Sequence, residues 1–267
     1  MFHMKQILPG IVATIILVTQ INKANADVYW NNNNGSAPGG DRSWGNANNW
    51  IGGSPSAAGA GNAIVKPWPN LQQMPIVNTL GNTADQVYLT EGSSLSVVQG
   101  GSLLVNAYVT GQWNNVGVTD VSGGLLQTGN LLVGSGSFDG DINISGGNIV
   151  ANFLEIKTAG GAKFDISGGT VSTTTFSIYN PGGGAGMNIG ANGSFVAAIS
   201  ELGNINYWIN NNSITANNGL AGWTLNVDTA SQAGKLVVTA VPEPSTFASF
   251  GMGLALLVAT RSFRRKS

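Results

Sequence analysis

Apolar residues in the middle of the chain alternate with polar ones and recur at a nearly constant interval. An apolar residue followed by a glycine pair occurs at Val98, Val121, Ile144 and Ile166, and a degenerate copy begins at Ile189. The intervals between them are 23, 23, 22 and 23 residues. A fixed interval combined with alternation is typical of short strands in stacked coils. The pattern therefore predicts an all-β repeat fold.

When such coils are stacked, like residues fall above one another and fill a continuous interior. Further apolar columns flank the repeated residues, and they are Ile142, Phe164 and Met187; Leu103, Leu126, Ile149 and Val171; Tyr108, Leu131, Leu154 and Phe176; and Val133, Ile156 and Ile178. A β-sandwich also suits short strands bounded by glycine. The constant phase instead favours a right-handed parallel β-helix, or β-solenoid, of 22–23-residue coils over residues 76–210.

The predicted repeats are flanked by two segments of different composition. Residues 27–75 are rich in Trp, Asn and Gly, with Trp30, Trp44, Trp50 and Trp68 spread along them. We expect them to cap the open end of the solenoid, because an uncapped end exposes the core to water and leaves a strand edge free to pair with another chain. The alternative is that the tryptophans stack on sugar rings. After the repeats, two strand-like runs within residues 211–241 predict a β-hairpin cap. The hairpin leads directly into Pro242, and we expect the rigid Pro-Glu-Pro that begins there to stand clear of the domain.

The N-terminal 26 residues have the layout of a secretory signal peptide. Lys5 precedes an apolar stretch over residues 11–18, and Ala24 and Ala26 form a small-x-small site. Such a segment is removed by signal peptidase, and cleavage is expected before Asp27. Residues 1–26 are therefore assigned to export.

The C-terminal residues 242–267 divide into three parts. Pro242, Glu243 and Pro244 come first, and an apolar run over residues 247–260 follows them. The run contains Phe247, Leu254, Leu256, Leu257 and Val258, and the basic residues after it are Arg261, Arg264, Arg265 and Lys266. An apolar run with positive charge on one flank suits a segment that enters a membrane and stops there. Fourteen helical residues rise only about 21 Å, which is short for a permanent transmembrane anchor.

This tail resembles the PEP-CTERM sorting signal of exported proteins in Gram-negative bacteria. The resemblance implies recognition of Pro242, Glu243 and Pro244 by a membrane-embedded exosortase. It also implies transient anchoring in the inner membrane by a transmembrane helix, followed by release to the cell envelope, the cell surface or the medium. The alternatives are a plain C-terminal anchor helix and a buried core helix. The repeats themselves resemble those of autotransporter passenger domains.

Composition narrows the chemistry that the exported part can perform. Residues 27–241 contain eleven acidic and five basic residues, which gives a net charge of −6 and argues against a nucleic-acid partner. The chain has no cysteine, and its one histidine, His3, lies in the signal peptide. A Ser-His-Asp or Cys-His nucleophile and a zinc site built on thiolate or imidazole are therefore excluded.

One polar column precedes the repeated apolar residues, and it consists of Asp120, Asn143, Asp165 and Asn188. Stacked in this way, the side chains form a surface ladder. They either hydrogen-bond to one another or bind sugar hydroxyls or Ca²⁺. Asp139 and Asp141 near Glu155 form a second acidic patch, and Lys157 and Lys163 are the only nearby bases for lyase chemistry. We favour the structural ladder and expect no catalytic residue, metal site or cofactor, with Ca²⁺ as the one ion considered.

A regular threonine array for ice binding is a further alternative, but its column is interrupted. Thr128 and Thr173 share a position with Val105, Ala151 and Ala197. The sequence therefore favours an exported, non-enzymatic β-solenoid of the cell surface or extracellular matrix, associated with exopolysaccharide and biofilm. The alternative is a carbohydrate-binding or polysaccharide-degrading β-helix with the same sorting signal.

Overall fold

The fold is seen in a computed structural model, which describes residues 27–30, 42–51, 54–55, 62–65, 74–90, 92–111, 117–134, 140–157, 161–179 and 186–243. Within these ranges the chain is mostly β, with one α-helix and a few 3-10 turns. The strands are β1 (Val28–Trp30), β2 (Trp50–Ile51), β3 (Ala63–Val65), β4 (Ile76–Val77), β5 (Asn82–Leu89), β6 (Ser94–Val97), β7 (Ser102–Gly111), β8 (Gly117–Val133), β9 (Gly140–Lys157), β10 (Lys163–Tyr179), β11 (Met187–Ala198), β12 (Ile214–Ala216), β13 (Trp223–Asp228) and β14 (Lys235–Pro242), and the helix is α1 (Leu202–Asn210).

Consecutive long strands pair in parallel, which confirms a β-solenoid of about five turns. One hydrogen-bonded path runs β13-β14-β11-β10-β9-β8-β7-β5-β3-β1-β2, and β4, β6 and β12 pair beside it. The strands β8, β9 and β10 are 17, 18 and 17 residues long and together provide most of the solenoid wall. The predicted handedness of the coil stays a prediction.

The interior columns follow the predicted register in most coils. Leu103, Leu126, Ile149 and Val171 are successive partners across β7, β8, β9 and β10, and each is at least 99% buried. Stacked aliphatic side chains of this kind remove apolar surface from water in every rung, which is the main stabilising term of a solenoid.

Two residues of the first full coil were predicted one position out of register. The partner of Val121 is Val97, not Val98, because Leu95 and Val97 are the buried residues of β6. The longer turn after β6 contains one additional residue compared with the later coils. Equal spacing of the glycine pairs therefore did not imply equal spacing of the strands.

The second correction concerns the column that begins with Tyr108. Leu131 pairs with Val109, whereas Tyr108 pairs with Asn130. The cause is a register shift between Val105 and Tyr108, where β7 has one residue more than β8. A bulge moves every later residue of the strand by one position, so the alternation changes face.

In the coils of β9 and β10, the second glycine of the pair turns the corner. Gly147 and Gly169 have φ values of +74° and +77°. A Cβ atom on Gly147 would lie 2.3 Å from the carbonyl oxygen of Gly124, and one on Gly169 would lie 2.4 Å from that of Gly147. The corners therefore need glycine both for its conformation and for the close approach of neighbouring coils.

The threonine column considered for ice binding faces the interior. Thr128 and Thr173 are 4% and 8% exposed, and each hydroxyl donates to a backbone carbonyl two residues later in the chain, at 3.0 and 2.7 Å. Val105, Ala151 and Ala197, in the same column, are buried as well. The column is part of the core, so the ice-binding hypothesis for this face is wrong.

Three tryptophans of the N-terminal segment are buried against the end of the core. Trp30 and Trp50 pack edge to face at 5.1 Å between ring centroids, and Trp44 and Trp50 do so at 4.8 Å. The Nε1–H of Trp50 donates to the carbonyl oxygen of Trp44 at 2.9 Å. Buried rings cannot stack on external sugars, so these three residues support the cap. Trp68 lies outside the described residues.

The same segment is less irregular than its composition indicated. The strand β1 pairs in parallel with β3, and β3 pairs in parallel with β5, so the solenoid sheet extends back to Val28. The antiparallel pairing of β2 with β1 then ends this side of the sheet.

At the other end, a helix and a hairpin close the solenoid. The helix α1 lies within the residues predicted as solenoid, and it buries Ile205 completely. The strands β13 and β14 form the predicted antiparallel hairpin, and β14 also pairs antiparallel with β11. Because an antiparallel strand cannot begin another coil of the same kind, this pairing ends the repeat array.

Several predictions fall on residues outside the described ranges. They are the signal peptide over residues 1–26 with Ala24 and Ala26, the motif residue Pro244, and the apolar and basic parts of the C-terminal signal. Among the helices of the described residues, none combines the length and the apolar character needed to cross a bilayer.

Candidate functional site

The four residues of the predicted surface ladder are direct neighbours across the coils. Asp120 pairs with Asn143, Asn143 with Asp165, and Asp165 with Asn188. The column continues in both directions, to Ser96 before Asp120 and to Thr215 after Asn188. It is a polar stripe of six rungs that spans the solenoid from β6 to β12, and we call it the ladder.

Hydrogen bonds join the ladder in two separate pairs. The Nδ2 of Asn143 donates to Oδ1 of Asp120 at 3.0 Å, and the Nδ2 of Asn188 donates to Oδ1 of Asp165 at 2.7 Å. The backbone N–H of Asn218 then donates to Oδ1 of Asn188 at 2.6 Å. A side-chain bond of this kind is not found between Asn143 and Asp165, although their Cα atoms are register partners in the described part of the chain. The ladder is therefore interrupted at its centre.

A cleft with a volume of about 310 Å³ opens at this interruption. Its walls come from the strands β9, β10, β11 and β12 and from the turn after β12. The lining residues are Asp141, Asn143, Lys163, Phe164, Asp165, Gly186, Met187, Asn188, Thr215 and Asn218. Phe164 and Met187 are each 1% exposed and belong to the solenoid interior, so their side chains contribute little surface to the cleft. The accessible side chains that line it are polar, so the cleft is an opening on the outer wall with convergent polar groups.

Two of the three charged residues of the cleft come from a second column, two residues before the ladder, and the third is Asp165 of the ladder itself. Asp141 and Lys163 are register partners on β9 and β10. Lys163 makes no ion pair within 4.0 Å to another described residue, whereas Lys157 pairs with Glu155 at 3.3 Å. Asp141 therefore belongs to the cleft, and Glu155 to an ion pair of its own. Asp139, the third member of the predicted acidic patch, lies outside the described residues.

Sequence reasoning found the ladder but missed the residues that close the cleft. Thr215 and Asn218 follow the helix α1, where the repeat phase has been lost, so no interval in the sequence points to them. Asn218 has a left-handed φ of +60°, which places its backbone N–H against Asn188. An asparagine pair in a short turn was the one available signal, because Asn tolerates this conformation.

In the part of the chain that the structure describes, His, Cys, Asp and Glu side chains do not gather in any group of three that could hold an ion. The ladder alternates carboxylates with amides, so each acid is separated from the next by a coil.

The second site of interest is the start of the C-terminal signal. Pro242 is the last residue of β14 and pairs with Trp223 of β13. The backbone N–H of Glu243 donates to the carbonyl oxygen of Gly222 at 2.9 Å. The sequence predicts that Pro-Glu-Pro stands clear of the domain, and for Pro242 and Glu243 this is wrong. The cause is the length of the hairpin, whose pairing continues into the motif.

Glu243 also borders a second cleft, of about 340 Å³, between the turn after β12 and the strand β13. Ile209, Leu220 and Trp223 contribute apolar surface to it. The beginning of the signal is therefore in contact with the C-terminal cap and is half-buried.

Comparison with known proteins gives one match. A family model for a PEP-CTERM protein-sorting motif covers residues 240–266. No curated protein and no solved structure matches the chain significantly. The matched residues begin inside β14 and include the tripartite tail described above. The chain therefore carries a PEP-CTERM protein-sorting motif behind a β-solenoid body, which marks it as an exported protein sorted by an exosortase.

Proposed function

We propose that this protein is a non-enzymatic component of the cell surface or extracellular matrix, where its solenoid contacts exopolysaccharide. The transmembrane segment of the tail anchors it in the inner membrane until the sorting enzyme acts. The mature protein then starts at Asp27 and ends close to Pro242.

One observation carries this proposal more than any other: the solenoid sheet continues directly into the sorting motif. The strand β14 pairs with β11 of the solenoid and ends at Pro242, so no linker or further domain separates the body from the signal. The solenoid attached in this way is the part of the protein that is sorted. Its function is therefore carried out at the location to which the signal directs it.

The chemistry of the body favours a structural role over catalysis. The mature chain lacks histidine and cysteine, which removes the common nucleophile and base pairs. Asp120 and Asp165 each accept a hydrogen bond from a neighbouring asparagine. Carboxylates engaged in this way stabilise the stacking of adjacent coils.

A carbohydrate-degrading activity is the second candidate, and the cleft is the observation that favours it. Two carboxylates, Asp141 and Asp165, and the amine of Lys163 line one cavity. A lyase or hydrolase needs an acid and a base near the sugar ring, and these three groups supply both types.

Cell fractionation tests the sorting part of the proposal. The full chain is compared with a Pro242→Ala, Pro244→Ala double variant, and with Thr239→Ala in β14 as a control outside the matched motif. We expect the wild type and Thr239→Ala in the outer envelope or the medium, and the double variant in the inner membrane. The same location for all three proteins would contradict sorting through this motif.

A turnover assay separates the two candidate functions. The full chain is incubated with the exopolysaccharide of its host, and new reducing ends and unsaturated products are measured. We expect no turnover. Turnover that Asp165→Asn abolishes, and that Asp85→Asn on another part of the wall leaves intact, would overturn the structural role and establish the enzyme.

A further inference from the structure

We propose that the cleft at the interrupted ladder binds one neutral sugar ring. The proposal deepens the contact with exopolysaccharide suggested above, since it assigns the binding site and the class of ligand. It rests on the proposed function only for the source of the sugar, because the cleft itself is described by its own geometry.

The first argument is the hydrogen-bonding capacity that remains at the interruption. Asn143 uses one Nδ2–H for Asp120, which leaves its other N–H and its carbonyl oxygen. Asp165 accepts from Asn188 through Oδ1, and its second oxygen makes no bond to another described residue. These donors and acceptors lie on adjacent rungs, roughly 4.8 Å apart.

A sugar ring presents hydroxyl groups that both donate and accept, and it therefore matches a mixed set of this kind. An amide binds two neighbouring hydroxyls through its oxygen and its nitrogen, while a carboxylate accepts from one of them. The accessible side chains of the cleft are polar, so hydrogen bonds to the hydroxyl groups of the ring provide the binding.

The second argument is the balance of charge. Asp141 and Asp165 carry negative charge, and Lys163, their neighbour on β10, carries positive charge. A phosphate or sulfate would face both carboxylates, and a polyamine would face the lysine. A neutral ligand meets neither penalty, and it gains charge-assisted hydrogen bonds from all three groups.

The third argument is the size of the cleft. A volume of about 310 Å³ is at the lower limit of small-molecule sites, which favours a single ring over a long oligosaccharide lying flat. Thr215 and Asn218 line one end of this cleft, where the polar stripe meets the turn after β12.

Ligand-observed and protein-observed NMR on the full chain in detergent tests the proposal. The probes are the methyl glycosides of glucose, galactose and mannose, with methyl glucuronoside as the anionic comparison and glucosamine as the cationic one. We expect at least one neutral glycoside to bind with a Kd on the order of 1 mM, as befits a ligand of this size. The side-chain amide signals of Asn143 and Asn188 should shift on binding.

Variants locate the site. Asn143→Ala and Lys163→Met should each weaken binding of the neutral glycoside at least about tenfold. The matched control is Asn106→Ala, because Asn106 donates to Asp85 at 2.9 Å in a similar exposed pair outside the cleft. Asn106→Ala should leave the affinity unchanged, and the amide signals verify that every variant is folded.

Results that contradict sugar binding at the cleft can be told apart from results that contradict sorting. Binding of the charged sugars alone, binding that the cleft variants leave intact, or no binding of any glycoside would each overturn the proposal. Sorting is read separately from fractionation. A chain that is sorted correctly but binds no sugar contradicts only the cleft, and a chain that binds sugar but stays in the inner membrane contradicts only the sorting.

Discussion

The backbone N–H of Glu243 donates a hydrogen bond to the carbonyl oxygen of Gly222 at 2.9 Å. Glu243 is the acid at the centre of the sorting motif, and Gly222 immediately precedes the strand β13 of the C-terminal cap. The motif is therefore partly built into the folded body. We therefore expect the end of β14 to detach before a sorting enzyme binds Pro-Glu-Pro as a free segment.

Weakening the hairpin at this end should make the motif more accessible. Trp223 is half-buried, packs against the core and is the register partner of Pro242. The substitution Trp223→Ala therefore removes side-chain packing at the start of the motif. We expect hydrogen exchange at the Glu243 amide to accelerate at least about tenfold. Exchange is measured by NMR on the full chain in detergent.

The control for this experiment is Asn226→Ala, an exposed residue of the same strand that pairs with Thr239. It should leave the exchange rate at Glu243 close to that of the wild type. If the Glu243 amide of the wild type already exchanges as fast as an unstructured peptide, the hydrogen bond to Gly222 does not persist in solution.

A methyl group at a solenoid corner should be costly. Gly147→Ala forces a left-handed residue and places Cβ 2.3 Å from the carbonyl oxygen of Gly124. We expect a loss of at least about 2 kcal/mol in the free energy of unfolding, since conformational strain and a backbone clash add. Denaturant unfolding followed by circular dichroism measures this change.

Gly203→Ala provides the comparison, because Gly203 lies in α1 and a Cβ atom there meets nothing within 4 Å. Alanine is the better helix former, so this variant should match the wild type or exceed it by up to about 1 kcal/mol. Equal effects of the two substitutions would mean that the glycine corners do not determine the coil.

The stability of the turn between β13 and β14 should depend on pH. Oδ1 of Asp228 accepts from the backbone N–H of Ala230 at 2.7 Å and from that of Ser231 at 3.1 Å. These hydrogen bonds, that of Ala230 above all, lower the pKa of the Asp228 carboxyl below its ordinary value. A carboxylate stabilised in the folded state contributes above the unfolded pKa, near 4, and this contribution is lost as the pH falls through the lower folded value.

We therefore expect amide exchange in β14 to accelerate, relative to unstructured peptide, as the pH is lowered from about 5 to 3. Asp228→Asn should remove most of this dependence, because its amide oxygen accepts the same bonds without titrating. Asn226→Ala should retain it. A dependence that persists in Asp228→Asn would assign the effect to other acids.

The repeat phase was sufficient to predict the solenoid and most of its interior. Leu126, Ile149 and Val171 occupy equivalent positions at a constant interval. Stacked coils place such residues on the same side of the solenoid wall. The interval could not predict that Val97 and Val109 are the register partners of Val121 and Leu131. A longer turn and a bulge each add one residue without changing the glycine spacing.

The C-terminal cap was harder to predict for a different reason. Leu202, Ile205 and Ile209 follow a helical period, but three apolar residues in a run of asparagines are a weak signal beside a strong repeat. The cleft depends on this cap, since Thr215 and Asn218 come after the helix. The ladder could therefore be predicted, whereas the cavity next to it required the structure.

The role of the threonines illustrates the same limit. Thr128 and Thr173 are polar residues, yet their hydroxyls donate to nearby carbonyls and both residues are buried. A polar residue at a strand bend can satisfy itself locally, so polarity alone does not assign a side chain to the surface.

The mass of the mature protein tests the central claim most directly. The protein is recovered from the envelope and the medium of normally growing cells, and its termini are determined by intact and peptide mass spectrometry. We predict an N-terminus at Asp27 and a C-terminus close to Pro242, with the apolar and basic parts of the signal removed. Protein that ends at Ser267 and is found with the inner membrane would contradict this account and make the tail a permanent anchor.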